Sequence, residues 1–202
     1  MIRRLLNGWA LLCVVSLVLL AMAGGLAALH QFDVSGVRLV IRATARTSLI
    51  LFALAFSASA LVKLWPGDLT LWQRRNRRQL GLAFAVSHAI HAVAIVTFAR
   101  MDPAGFHAQT MAGTLVSGGL AYLFIAAMAA TSFDRAAAWI GPRTWRALHW
   151  MGGYYILVSF IVTNGKRIGT SPYYALPVLL MVAILVLRMV ARQRTAPAAT
   201  AI

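Results

Sequence analysis

The chain has 202 residues, of which 61% are hydrophobic and only 11% are charged, and its mean hydropathy is +0.78. A soluble domain carries about a quarter charged residues, so this composition excludes an ordinary soluble fold and indicates a chain that lies mostly in a bilayer. The net charge is +15, but the basic residues lie in short segments between apolar runs, which favours lipid contact over nucleic-acid binding.

Six apolar runs are each long enough for a membrane-spanning helix. The first resembles a signal peptide in its basic start and small residues, but it is longer than a signal-peptide core, so we interpret it as a helix. A loop over residues 65–79 separates the second run from the third. The sequence therefore predicts an all-α bundle of six transmembrane helices within one domain, residues 1–194, and a short cytoplasmic tail, residues 195–202. The predicted helices are residues 5–29, 37–64, 80–98, 111–131, 145–162 and 173–190.

The distribution of basic residues predicts the orientation of these helices. With the N-terminus inside, thirteen lysines and arginines fall on the cytoplasmic side and six fall outside. The positive-inside rule then places both termini in the cytoplasm, as expected for a multi-pass protein of a bacterial-type inner membrane with an even number of spans.

Three of the five histidines lie within predicted spans: His88 and His91 on the third helix and His149 on the fifth. His30 and His107 fall in outer loops, where a solvated histidine is ordinary. An ionisable group at membrane depth is costly and marks a functional site by default. Residues 88 and 91 share one helix face, and a cofactor between bundle helices needs ligands of this kind.

Haem is the candidate cofactor, because its iron takes axial histidines and its macrocycle suits an apolar interior. Zinc is disfavoured, since neither a carboxylate nor a thiolate joins the histidines, and Cys13 is the only cysteine. The alternative is that the histidines only hydrogen-bond between helices. Arg38, Arg42 and Arg46 form a stripe that could bind haem propionates or anionic headgroups.

Several short motifs occur in the order and at the spacing of a known family. The start of the third helix, residues 77–82, is followed by His91. Thr44-Ala45-Arg46 lies in the second helix, Thr131-Ser132 closes the fourth, and residues 145–149 end in His149. Over residues 38–190 the chain thereby resembles the ferric reductase-like transmembrane domain family. Within that family it is most similar to the haem-binding membrane subunits of the periplasmic methionine sulfoxide reductase system.

The resemblance implies a b-type cytochrome in which His91 and His149 match haem-ligating positions. Val162 stands where the family has a further histidine on the fifth helix, and Arg77 stands where the larger oxidases have one on the third. Measured along each helix from its basic start, residue 88 lies about 10 Å further into the membrane than residue 149. Residue 91 lies about another 4.5 Å further. We favour one haem b held by His149 and His88, with His91 as the competing ligand and two haems as the alternative.

The expected function is electron transfer across the membrane to an outer acceptor, either a periplasmic reductase subunit or ferric iron. The chain has no flavin or nicotinamide domain, so the donor is expected to be a separate flavoprotein or a quinol, and flavin enters only through that partner. The alternative is a cofactor-free membrane transporter or assembly factor that uses its histidines for packing or protonation.

Overall fold

The computed structural model describes residues 6–194, and every regular element in that range is helical. The predicted tail, residues 195–202, and the basic start at Arg3 and Arg4 lie outside the described residues. The eight α-helices are α1 Gly8–Leu29, α2 Val34–Leu64, α3 Asp68–Arg75, α4 Arg77–Met101, α5 Pro103–Gln109, α6 Ala112–Ala130, α7 Asp134–Gly165 and α8 Ala175–Gln193, the last preceded by a 3₁₀ turn, Pro172–Tyr174.

Five helical segments are long and apolar enough to cross a membrane: α1, α2, α4, α6 and Pro172–Gln193. The all-α prediction and the multi-pass character are therefore confirmed for the described residues. The predicted span at residues 145–162 lies within α7, which is not among these five. The first half of α7 carries Asp134, three arginines and His149, and its second half carries two tyrosines, so the mean hydropathy of α7 is lower than that of the five spans.

Helix α7 is divided by a sharp bend. Gly141 has φ 78° and ψ 159°, a conformation that glycine adopts without steric cost, and Pro142 follows at the start of the second part. The first part exposes 88% of Trp139, as an interfacial segment does. The second part, residues 142–165, is a helix of about 36 Å, which is longer than the hydrocarbon core of a bilayer.

The segment between the second and third predicted spans, expected as a loop, contains α3. Gln73 fixes this short helix to α2, because its side-chain amide donates to Leu54 O at 2.7 Å and to Ser57 Oγ at 3.1 Å. Asn76 lies between α3 and α4, and its Oδ1 accepts a hydrogen bond from the backbone N–H of Gly8 at 2.8 Å. The starts of α1 and α4 and the end of α2 therefore lie together at one end of the bundle, here called the basic end because Arg74, Arg75, Arg77 and Arg78 lie there.

The closest helix pair is α2 with α4, and hydroxyl groups line its buried contact. Ser87 Oγ accepts from Ser48 Oγ at 2.9 Å, lies 2.9 Å from Thr47 Oγ1 and donates to Thr44 O at 3.3 Å. Thr44, Ser48 and Ser87 are fully buried. Small side chains allow the two backbones to approach, and their hydroxyls find partners that hydrocarbon does not offer.

We predict that Ser87→Ala lowers the free energy of unfolding by about 1 kcal/mol, because interhelical hydrogen bonds in membrane proteins average roughly 0.6 kcal/mol each. The measurement is equilibrium unfolding of the purified protein in mixed micelles. Ser117→Ala is the matched control, since the exposed Ser117 hydroxyl donates to Thr114 O of its own helix. The bond that the Tyr155 hydroxyl donates to Ser117 O uses the backbone and is kept in the variant. Equal losses in both variants would contradict the role given to the α2–α4 contact.

Candidate functional site

The predicted site histidines occupy two separate places. On α4, the rings of His88 and His91 lie 5.4 Å apart between centroids. On α7, His149 stacks against Trp145 at 4.2 Å. The structure therefore brings the two α4 histidines together and holds the α7 histidine elsewhere.

The distance between the two places follows from α7 itself. Phe160 lies on α7 beside the His88 ring, 6.2 Å away between centroids. His149 precedes Phe160 by 11 residues, which is about 16 Å along a helix axis. The structure therefore does not bring together His149 and His88, the pair favoured from the sequence, and their binding of one haem iron stays a prediction.

His149 is held in place by α6. Its Nε2 lies 3.2 Å from Thr131 Oγ1, and the Trp145 indole N–H donates to Thr131 O at 2.9 Å. Thr131 Oγ1 also lies 2.7 Å from Ala127 O, the acceptor for its proton. With that bond made, Nε2 carries the imidazole proton and Nδ1 keeps the lone pair.

His149 lies at the wall of a cavity of about 300 Å³ that is bounded by α2, α4, α6 and α7. Aromatic, aliphatic and thioether groups form most of its surface, and the guanidinium groups of Arg77 and Arg78 are the charged groups that line it. Arg78 also pairs with Asp134 at 2.5 Å. An apolar cavity with a few polar groups at one side is the usual form of a small-molecule site. Its apolar lining includes Phe52, Phe56, Phe84, Ile125 and Met128.

The two α4 histidines differ in their partners. His91 Nδ1 lies 2.9 Å from Thr44 Oγ1, whose own proton has Val40 O as an acceptor at 2.7 Å. His88 Nδ1 is buried and has no hydrogen-bond partner among residues 6–194, and the same is true of the Tyr122 hydroxyl. The rings of these two residues are 5.4 Å apart. Each of these two neighbouring buried groups therefore lacks a donor or acceptor that buried polar groups normally have.

A column of aromatic rings connects the two histidine places. Phe56 contacts Phe52 at 5.0 Å, Phe52 contacts Phe84 at 5.5 Å, and Phe84 contacts His88 at 5.0 Å, all between ring centroids. The three phenylalanines also line the cavity. Sequence analysis missed them, along with Tyr122, because phenylalanine and tyrosine in an apolar run carry no signal beyond packing.

Arg46 is exposed and lies apart from both histidine places. It follows Thr44 by two residues on α2, so it points away from α4, toward which Thr44 points. Arg38, on the same stripe, donates to Gln109 at 3.0 Å and lies over the Phe98 ring. The stripe is therefore an outer surface of α2, and the predicted contact of Arg46 with a cofactor stays a prediction.

No family model, curated protein or solved structure matches this chain. Within the described residues, no group of three or more histidine, cysteine or acidic side chains could hold a metal ion by itself. His30 and His107, both expected in loops, are exposed: His30 follows α1 and bonds to Ser35, whereas His107 lies in the short helix α5. The candidate site therefore rests on the geometry around His149.

The cavity fits the chemical requirements of a haem in three respects. It offers an imidazole nitrogen at its wall, apolar surfaces for the macrocycle, and arginines that can pair with propionates. It supplies one histidine, because the α4 histidines do not line it. The residues present thus fit a haem with a single protein ligand.

We predict that Gly81→Leu fills this cavity. Gly81 lines it, and a Cβ at this position meets no atom within 4 Å. The variant should raise the free energy of unfolding by about 1 kcal/mol more than Gly119→Leu, since filling an apolar cavity is stabilising. It should also lose the ability to bind added hemin, measured by absorbance titration.

Gly119→Leu is the matched control, because Gly119 is exposed on α6 and has the same open space around it. Both substitutions gain the same helix propensity, so the difference between them reports the cavity alone. Unchanged hemin binding in Gly81→Leu would contradict the assignment of the cavity as a ligand site.

Proposed function

We propose that this protein is a membrane b-type cytochrome subunit with six spans, the sixth being residues 142–165 of α7. It would pass electrons from a separate donor at the basic end to an acceptor at the opposite end. The observation that carries the proposal is that His149 lies in an apolar cavity between four helices, with two arginines on its lining. A half-buried histidine at the wall of an apolar cavity is more readily explained by a ligand than by packing.

Each residue around the cavity has a role in this proposal. His149 would ligate the haem iron, while Trp145 and Thr131 fix the plane of its ring. The bond between Thr131 and Nε2 leaves Nδ1 as the available nitrogen, or it is given up when Nε2 binds. Arg77 would pair with an acidic group of the haem. When bound, the haem supplies reversible one-electron chemistry.

The direction of transfer follows from the same arrangement. The positive-inside rule assigns the basic end to the cytoplasm, so the donor is a cytoplasmic flavoprotein or a quinol in an inner membrane. The aromatic column leads from the cavity to His88 and His91 at the middle of α4, in the direction of the opposite end. The acceptor there would be a periplasmic reductase subunit or ferric iron.

A second function is favoured by a specific observation. His91 and His149 each bond to a threonine of a neighbouring helix, which is how histidines hold a bundle together without a cofactor. A cofactor-free transporter or assembly factor would need only these contacts. The two proposals differ in whether the purified protein carries a pigment.

We predict that protein purified from haem-sufficient cells shows a Soret band and a sharp α band after reduction with dithionite. His149→Ala should lose at least about nine tenths of this absorbance, because His149 is the histidine that lines the cavity and would supply the axial imidazole. His107→Ala is the control, since His107 is exposed on α5. Colourless protein would exclude the cytochrome. Full absorbance in His149→Ala would assign the haem ligand to the α4 histidines, His88 and His91, instead.

A further inference from the structure

Three arginines from three different helices converge on one turn of α2 at the basic end. Arg74 of α3 and Arg77 of α4 both donate to Ser59 Oγ, at 3.0 and 3.2 Å. Arg188 of α8 donates to Phe56 O at 2.6 Å, one turn earlier on α2. Arg74, Arg77 and Arg188 are here called the arginine cluster.

The arginine cluster has no acidic partner within the described part of the chain. Among residues 6–194 the ion pair formed between side chains is that of Arg78 with Asp134. The charges that act on Arg77 are those of Arg188 and Arg74, which have the same sign. Arg188 Nε is buried and has no hydrogen-bond partner. Three positive charges therefore lie close together, and Arg188 Nε is a hydrogen-bond donor without an acceptor among residues 6–194.

Like charges at membrane depth are costly unless something neutralises them. Arg188 lies over the Phe56 ring at 4.0 Å and over the Tyr154 ring at 5.6 Å, and such contacts stabilise a guanidinium in place. They do not reduce its net charge or its repulsion of Arg77. A bound anion would offset the net charge, weaken the repulsion between the arginines and accept hydrogen bonds from the N–H groups of all three side chains.

We propose that the arginine cluster binds a phosphate-class anion, and specifically the headgroup of an anionic phospholipid. Guanidinium groups present a fork of donors that matches phosphate oxygens. Basic pockets between helices at the cytoplasmic side are typical sites for such headgroups. The same turns of α8 expose Val186, Met189 and Val190 on the side turned away from α2, which is an apolar outer surface that acyl chains can cover.

The inference does not rest on the proposed cytochrome function. Arg74 and Arg188 do not line the cavity of His149, although Arg77 does. Lipid binding is measured on protein without added hemin, and pigment content is measured separately. The lipid-binding result can therefore be interpreted even if the protein binds no haem, and the haem result even if it binds no lipid.

The experiment uses the purified full chain in detergent micelles. Phosphatidylglycerol, phosphatidylcholine and inorganic phosphate are titrated in parallel, with the thermal unfolding midpoint and bound lipid by native mass spectrometry as readouts. Phosphatidylglycerol should raise the midpoint and remain bound, whereas phosphatidylcholine should do neither. In Arg188→Gln the apparent affinity for phosphatidylglycerol should fall about tenfold, which corresponds to about 1.4 kcal/mol.

Arg74→Gln provides a second variant that should fold, because Arg74 is exposed on the short helix α3, and it should weaken the same binding. Arg143→Gln is the matched control, since it removes one exposed positive charge on α7 and should leave the affinity unchanged. An equal midpoint rise with inorganic phosphate would support the anion site and assign it to the free ion. Equal binding of both lipids, or unchanged affinity in Arg188→Gln and Arg74→Gln, would overturn the proposal.

Discussion

Inside a bilayer no water is available to bond a polar side chain, so each buried polar group needs a partner on a neighbouring helix. The contact between α2 and α4 meets this requirement most fully. Ser87 of α4 bonds to two hydroxyls and a carbonyl of α2, and His91 bonds to Thr44 one turn away. These bonds fix the register of the two helices, and that register sets the position of every residue that α4 directs toward α6 and α7.

The same requirement distinguishes the three intramembrane histidines. His91 and His149 are each held by a threonine, so one nitrogen of each ring is engaged and the ring plane is defined. Within the described part of the chain, neither His88 Nδ1 nor the hydroxyl of the neighbouring Tyr122 has a hydrogen-bond partner. A histidine fixed on one side at the wall of a cavity is suited to binding a ligand with its other side. This property makes His149 the centre of the proposed function.

Charge at the basic end follows a different pattern. Arg78 has an acidic partner in Asp134, whereas within residues 6–194 the partners of Arg74, Arg77 and Arg188 are a hydroxyl and a carbonyl of α2. With 4 acidic residues in the whole chain against 19 lysines and arginines, the protein cannot neutralise itself. An excess of this kind at a membrane surface is compensated by the surroundings, which is why a lipid phosphate is the partner we propose for the cluster.

The sequence by itself determined the helical membrane class and five of the spans, because apolar runs of this length have few stable alternatives in a bilayer. It also singled out His88, His91 and His149, since polar residues stand out within apolar runs. Only the tertiary structure decided that the α7 residue beside His88 is Phe160, which follows His149 by 11 residues, or about 16 Å of helix axis. Helix spacing gives positions along one axis, whereas the vertical offset between two helices depends on how their side chains pack.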